Sequence, residues 1–309
     1  MGGLAGLREA GAAAGAANDE GGRPDLQWIS PLVRAPRLER RTFESAVAAT
    51  RVSYHIHVPE AYRAEARHRF PVLYWLHGGG GSDGKAVVGG VAPMAAHFDE
   101  AIRAGKIAPM LVVFPNGLHS LWVDSKDGRI PMETIVIKEL VPHVDATFRT
   151  IASREGRIIE GFSMGGYGAA HLGFKYPELF GSISILSGGP LQREFTDAPR
   201  VGPGGRDRVM REIFGGDPEY FCAESPWVLA GQNADALRDQ TLIRVVVGDR
   251  DEMIANVRAF DARLSALRVP HAYVELSGVD HNPVAVIGAL GQENWRFYHA
   301  AVGAGTVRD

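Results

Sequence analysis

Short apolar runs separated by longer amphipathic stretches recur along most of the chain. Residues 51–58 (RVSYHIHV) alternate apolar and polar side chains, the period of a half-buried strand. Residues 69–76 (RFPVLYWL) are almost continuously apolar and end in His77-Gly78-Gly79-Gly80-Gly81. That predicts a strand covered on both faces, followed by a glycine loop. Residues 110–114 form a second such run, stopped by Pro115-Asn116-Gly117. Over 133–148 the apolar positions Ile137, Leu140, Val141 and Val144 switch to helical spacing, with a kink expected at Pro142. The same reading predicts strands at 157–160, 181–186, 242–247 and 271–276, and helices at 164–176, 252–267 and 283–301. Strands alternating with helices imply an α/β fold with a mostly parallel central sheet and helices on both faces. Residues 188–240 break the rhythm, being rich in Gly, Pro and Asp. They read as a lid-like or cap insertion over the sheet's carboxyl edge. The expected organisation is a disordered leader over 1–25 and a single domain over 26–309.

Composition narrows the function classes. With 309 residues the chain can build one full core. The net charge of -3 is spread without long runs of one sign, so no basic face predicts a nucleic-acid partner. The single cysteine, Cys222, excludes an internal disulfide framework. The apolar runs are strand-length, far short of the ~20 residues that span a bilayer. The Gly- and Ala-rich stretch 1–22 is interrupted by Arg8 and Glu9 and reads as a leader rather than a signal peptide, so a cytoplasmic location is expected by default. A small-molecule substrate is the expected partner, with no membrane span and with homo-oligomerisation left open.

The chemistry concentrates at Gly161-Phe162-Ser163-Met164-Gly165, a G-x-S-x-G pattern between an expected strand and a small-residue helix. A serine on such a sharp strand-to-helix turn stands clear of the sheet. Glycines on either side relieve the crowding, and the helix amino end favours developing negative charge. A serine nucleophile needs a base, and the base an orienting acid. In this fold the chain order is serine, acid, histidine. His281 follows the last expected strand, where catalytic groups gather, whereas His271 opens a strand and His299 lies within a helix. The acid falls in Gly248-Asp249-Arg250-Asp251-Glu252. Glu252 suits a helix amino end and Asp249 a turn, and the residues alone leave Asp249 and Asp251 open. The loop after His77 resembles an HGGG-type segment, so the oxyanion donors are expected to be the backbone N–H groups of Gly79 and Met164.

Two rival readings use the same stretches. Gly79, Gly81 and Gly84 fit G-x-G-x-x-G, and Lys85 nearly completes a phosphate loop. Ala86 stands where a metal-binding Ser or Thr would be needed, and no second strand ends in an acidic residue about 20 positions on. His55 and His57 lack an accompanying carboxylate or cysteine at ligand spacing. No cofactor and no metal are therefore expected.

Residues 160–170 (EGFSMGGYGAA), with Phe174-Lys175-Tyr176-Pro177 and Phe180-Gly181, closely resemble the esterase D type family. That family includes S-formylglutathione hydrolases, feruloyl and other carboxylesterases, and mycobacterial mycolyltransferases. The resemblance runs from about Ser45 to Tyr298 and takes in residues 74–79 (YWLHGG), 147–149 (TFR) and Gly248-x-x-Asp251. It implies an α/β-hydrolase fold, Asp251 as the acid, His281 as the base and Gly79 in the oxyanion hole. Through Leu121-Trp122-Val123-Asp124-Ser125 it also implies Trp122 and Asp124 as substrate contacts. Tyr167 stands where the S-formylglutathione hydrolases usually carry His, and 188–240 match no particular subfamily, so substrate choice is expected there. The expected activity is carboxylic-ester hydrolysis through an acyl-enzyme. The alternatives are acyl transfer by the same triad, or a non-catalytic small-molecule binding protein on this fold.

Overall fold

The computed structural model describes residues 26–79, 85–195, 204–239 and 241–303. The expectations for 1–25 and for Gly81 and Gly84 lie outside those residues. Eight strands form one sheet: β1 (Leu38–Ser45), β2 (Thr50–His57), β3 (Val72–Leu76), β4 (Leu111–Pro115), β5 (Arg157–Phe162), β6 (Ser182–Leu186), β7 (Leu242–Gly248) and β8 (Ala272–Leu276). Their order is β1-β2-β4-β3-β5-β6-β7-β8. β1 pairs antiparallel with β2, and β2 with β4, while the remaining pairs are parallel.

The continuous apolar runs became the central strands, because helices cover both faces there. Leu73 and Trp75 of β3 face one core, shared with Val91, Met94 and Phe98 of α1 (Lys85–Arg103). Val72, Tyr74 and Leu76 face the other, shared with Ile137, Leu140 and Phe174. Successive side chains alternate faces, so a run covered on both sides has no polar positions. Three further helices matter below: α2 (Met164–Lys175), α3 (Ile254–Ala266) and α4 (Pro283–Gly303), the last broken at Gly291, where φ is 50°.

Three local features depart from the expectations. β1 (LERRTFES) pairs with β2 over its full length, yet its charged, exposed side chains give little apolar signal. Charges of this kind blunt a sheet edge. The helix expected over 133–148 is not one regular α-helix: a π segment, Ile135–Leu140, precedes Pro142, the residue that cannot donate a hydrogen bond. The insertion is less irregular than its composition suggests. Asp217 caps the helix Pro218–Glu224 and Ser225 caps Pro226–Gln232, each with proline at the first helical position. Phe214, Phe221 and Leu229 from these turns join the same core as β3 and α2.

A polar ladder crosses the buried face beneath β5. Glu160, Ser184 and Arg244 are register partners on β5, β6 and β7. Arg244 donates to Glu160 at 2.7 Å, to Ser184 at 2.7 Å and to Asn294 at 2.8 Å, and the Tyr298 hydroxyl donates to Glu160 at 2.8 Å. Replacing Arg244 with Met leaves a fully buried carboxylate without its cation. Urea denaturation of that variant is expected to show a loss of about 3–5 kcal/mol.

Candidate active site

The chain steps from β3 to β4 on one side of the sheet and to β5 on the other. The carboxyl ends of β3 and β5 are therefore the switch point of the sheet, the position where ligands bind in such folds. His77, Gly78 and Gly79 leave β3 there, and Ser163 leaves β5.

Ser163 has φ 59° and ψ -117°, a conformation costly for a residue with a Cβ. The surroundings hold it on both sides. Its N–H donates to Leu186 O at 3.0 Å, and its carbonyl accepts the first α2 bond from Tyr167 N at 3.0 Å. The flanking glycines are required by close backbone approach. A Cβ on Gly161 would sit 2.2 Å from Gly165 O, and one on Gly165 would sit 1.9 Å from Leu76 O. The glycine loop lies against the same turn: a Cβ on Gly78 would stand 3.3 Å from Ser163 Cβ, and one on Gly79 would stand 3.7 Å from Met164 Cβ. Met164 opens α2, where helical N–H groups have no intrahelical acceptor and the dipole favours an anion.

Asp251 follows β7 and is buried. His281 Nδ1 lies 2.9 Å from both carboxylate oxygens, and Met253 N–H donates to Oδ1 at 2.8 Å. Burial pushes the Asp251 pKa up, but the hydrogen bonds from His281 and Met253 outweigh it and hold the acid below its ordinary value. An ionised carboxylate only accepts, so Nδ1 carries the proton and Nε2 is left with its lone pair. Nε2 is buried and has no hydrogen-bond partner, and the His281 ring lies 4.6 Å from that of Phe162, the residue before Ser163. The structure thus brings Asp251 and His281 together beside the elbow, while no hydrogen bond joins Nε2 to the Ser163 hydroxyl in this state. Asp249 is spent elsewhere, accepting Gly278 N–H at 2.7 Å in a turn. Glu252 is exposed. His271 pairs with Asp261, and His299 is exposed on α4.

The two residues implied as substrate contacts stand differently. Trp122 is fully buried; its indole N–H points to His77 O at 3.4 Å, and its ring fills the space above Gly117 and Gly168. Asp124 spends both carboxylate oxygens on Thr134, at 3.0 Å to its N–H and 2.6 Å to its hydroxyl. In this structure Trp122 packs against the glycine loop's His77 and Asp124 is bonded to the helix that begins at Met132.

His77 is a positioning group that sequence reading passed over. Its Nε2 lies 3.0 Å from Gly117 N–H, which can only donate, so Nδ1 holds the proton and donates to Gly78 O at 2.8 Å. Burial drives its pKa down to about 4, keeping it neutral. In a trans peptide C=O and N–H point in opposite directions. Gripping Gly78 O therefore turns the Gly79 N–H away from His77. The HG pair in YWLHGG was the available signal.

Beside the elbow, α2 is tied to the insertion. His171 bonds Glu133 at 2.6 Å, and Lys175 Nζ reaches Glu133 at 2.9 Å and Glu224 at 2.7 Å. Tyr167 and His171 both bond Glu224 O, at 3.0 and 2.9 Å. Glu133, His171 and Glu224 have metal-ligand spacing, but the ammonium of Lys175 already supplies a positive charge between the carboxylates. Burial raises the Glu133 pKa, yet hydrogen bonds and charge from His171, with Tyr176 and Lys175, hold it at about 2. His55 and His57 do not converge on a common point: Nε2 of one accepts Val33 N–H at 3.2 Å, and Nε2 of the other lies 3.0 Å from Asp99.

A strained serine between strand and helix, an aspartate–histidine pair after later strands and this strand order together are those of an α/β-hydrolase fold. More particularly, the chain belongs to the esterase family described as "Putative esterase", whose model matches residues 45–301. It is 29% identical over 286 residues to Esterase Rv1288 of Mycobacterium tuberculosis, covering 83% of this chain and 59% of that protein. The chain thus spans about three-fifths of that relative's length. It is 32% identical over 170 residues to the endo-1,4-beta-xylanase/feruloyl esterase of Xylanibacter ruminicola, covering 53% of this chain and 23% of that protein. Among solved structures, a ferulic acid esterase superposes with a TM-score of 0.68 at 21% identity, covering 85% and 98% of the two chains. The fluorophosphonate-binding serine hydrolase FphF of Staphylococcus aureus gives 0.66 at 18%, covering 88% and 98%. These likenesses show the shared fold. Among the described residues no helix is long and apolar enough to cross a membrane.

Two outcomes follow from the supports of the site. Gly165→Ala drives a methyl into backbone that cannot yield, so the variant is expected to lose about 3 kcal/mol, read from its denaturation midpoint. Glu133 has a lowered folded pKa, so its charge stabilises the fold above its ordinary 4.5, and that stability drains as pH falls toward about 2. Glu133→Gln should be less stable at neutral pH and show a flatter stability curve between those values.

Proposed function

We propose that this protein hydrolyses small-molecule carboxylic esters through a Ser163–His281–Asp251 triad. The observation that carries the reading is the Asp251–His281 pair, which fixes one imidazole nitrogen and leaves the other buried, unpartnered and next to the elbow. Substrate binding tightens the contact between Nε2 and the Ser163 hydroxyl; such contacts are often long in unliganded sites.

Ser163 Oγ attacks the ester carbonyl carbon while its proton passes to His281 Nε2. Asp251 stabilises the resulting imidazolium and keeps the ring oriented. The carbonyl oxygen takes the negative charge and receives the N–H groups of Met164 and Gly79. The C–O bond to the alcohol breaks, the imidazolium returns its proton to the departing oxygen, and Ser163 is left acylated. Water then repeats the attack, giving a proton to His281; the bond from the acyl carbon to Ser163 Oγ breaks, the imidazolium returns that proton to Ser163, and the acid is released.

On p-nitrophenyl acetate, Ser163→Ala is expected to lower kcat by roughly 1000-fold or more with the melting temperature unchanged. Asp251→Asn should cost about 10,000-fold through the wrong imidazole tautomer. Asp249→Asn, which only loosens the turn at Gly278, should cost less than about tenfold. If the two aspartate variants exchange places, the acid is Asp249.

A further inference from the structure

The loop between β4 and the helix that begins at Met132 concentrates backbone strain. Leu118, Leu121 and Trp122 have φ of 51°, 53° and 61°, three left-handed residues with side chains within five positions. Strain of this kind persists only where surrounding contacts over-determine it, and it gathers at functional sites. The contacts are present here. The Asn116 side chain donates to Gln27 O and Trp28 O, Gly117 N–H is held by His77, and Ser120 Oγ donates to Gly117 O at 2.6 Å while accepting Trp122 N–H at 3.0 Å. Trp122 is locked in turn by its indole bond to His77 O.

One polar side chain in this stretch stands apart. His119 Nδ1 is buried and has no hydrogen-bond partner. The imidazole lies against the glycine loop: a Cβ on Gly79 would stand 3.4 Å from Cε1 and 3.9 Å from Nδ1. Gly79 is the residue whose N–H is assigned above to the oxyanion. Arg208 and Glu212, on the insertion helix Gly205–Glu212, act on the ring through their charges. Burial first, then Arg208, holds the ring below its ordinary pKa against the opposing pull of Glu212, so it is neutral near pH 7. A strained, fully braced loop thus presents a neutral imidazole, with one nitrogen uncommitted, beside the oxyanion loop.

We propose that His119 is a substrate-binding residue that donates a hydrogen bond from Nδ1 on the oxyanion side of the scissile carbonyl. This rests on the esterase reading and adds a third donor to the two backbone N–H groups. Its substrate contact needs no group beyond the carbonyl, so it acts on the simplest esters as well as on larger ones.

The test uses the chemistry of the nitrogen rather than the bulk of the ring. Asparagine places an amide nitrogen close to where Nδ1 sits, glutamine reaches toward the Nε2 position, and leucine offers neither. kcat and KM are measured on p-nitrophenyl acetate for wild type, His119→Asn, His119→Gln and His119→Leu, with melting temperatures to confirm folding. The Leu variant should lose about 10- to 100-fold in kcat with KM changed less than about threefold, since removal of an oxyanion donor acts on the transition state. The Asn variant should recover to within about fivefold of wild type, and the Gln variant should stay near Leu. A Leu variant within about twofold of wild type overturns the assignment, as does an Asn variant no faster than Leu. Wild-type protein that fails to turn over the ester, with Ser163→Ala indistinguishable from it, sinks the esterase reading itself, a result separable from failure at His119.

Discussion

The left-handed backbone of Ser163 is the constraint around which the rest is arranged. β5 enters the turn and α2 leaves it within backbone contact of Leu76, at the end of β3. No side chain fits at Gly161 or Gly165. The register that pairs Leu76 with Gly161 is therefore also the register that sets how far the glycine loop lies from the serine. The two parts cannot drift independently. A shift of one strand that relaxed Ser163 would open the same contact that brings Gly78 and Gly79 against it. The strain is small beside the burial of β3, β4 and β5, which are buried along their whole length.

Two buried charge networks brace this arrangement in different directions. Beneath β5, Arg244 gathers Glu160, Ser184 and Asn294 across three strands and a helix, so the residue just before the elbow is fixed to the middle of the sheet. Beside α2, Glu133, His171, Lys175 and Glu224 join the nucleophile helix to the insertion. An apolar core of equal volume could be as stable, because desolvating charge is costly. What the networks add is direction: each polar atom accepts few partners, so strands and helix cannot slide to an equivalent packing. The insertion is held to α2 by Glu224, and Arg208 and Glu212 on it lie close enough to act on the charge of His119.

Much of this was legible in the sequence, for physical reasons that differ by element. The central strands showed as unbroken apolar runs because both faces are covered. The elbow showed because only glycine can occupy positions 161 and 165. The edge strand β1 escaped notice because an exposed, charged strand carries almost no hydrophobic alternation. Asp249 and Asp251 could not be separated along the chain, since what separates them is the N–H of Gly278 and the imidazole of His281, each about 30 residues away. The partners of Trp122 and Asp124, at His77 and Thr134, are set by the fold and could not be read from the segment 121–125 itself. The Pro-, Gly- and Asp-rich insertion looked irregular because short capped helices use those same residues at their ends.

The histidines show most clearly what composition leaves out. His77 and His171 each have both ring nitrogens engaged by fixed partners, so neither has a nitrogen to offer a substrate or a proton in flight. His281 has Nδ1 committed to Asp251 and Nε2 buried and unengaged. His119 has Nδ1 unengaged beside Gly79. All four carry the same side chain, and hydropathy and spacing give no means of ranking them. The number of nitrogens already spoken for separates the two groups, because a buried polar atom without a partner costs stability that packing alone does not return. Of the two unengaged atoms one lies beside Gly79 and the other beside Phe162, next to the two ends of the strained turn. On the proposed reading the two atoms call for different partners: Nε2 of His281 takes the proton of the Ser163 hydroxyl, and Nδ1 of His119 donates to an oxygen such as the carbonyl of an ester.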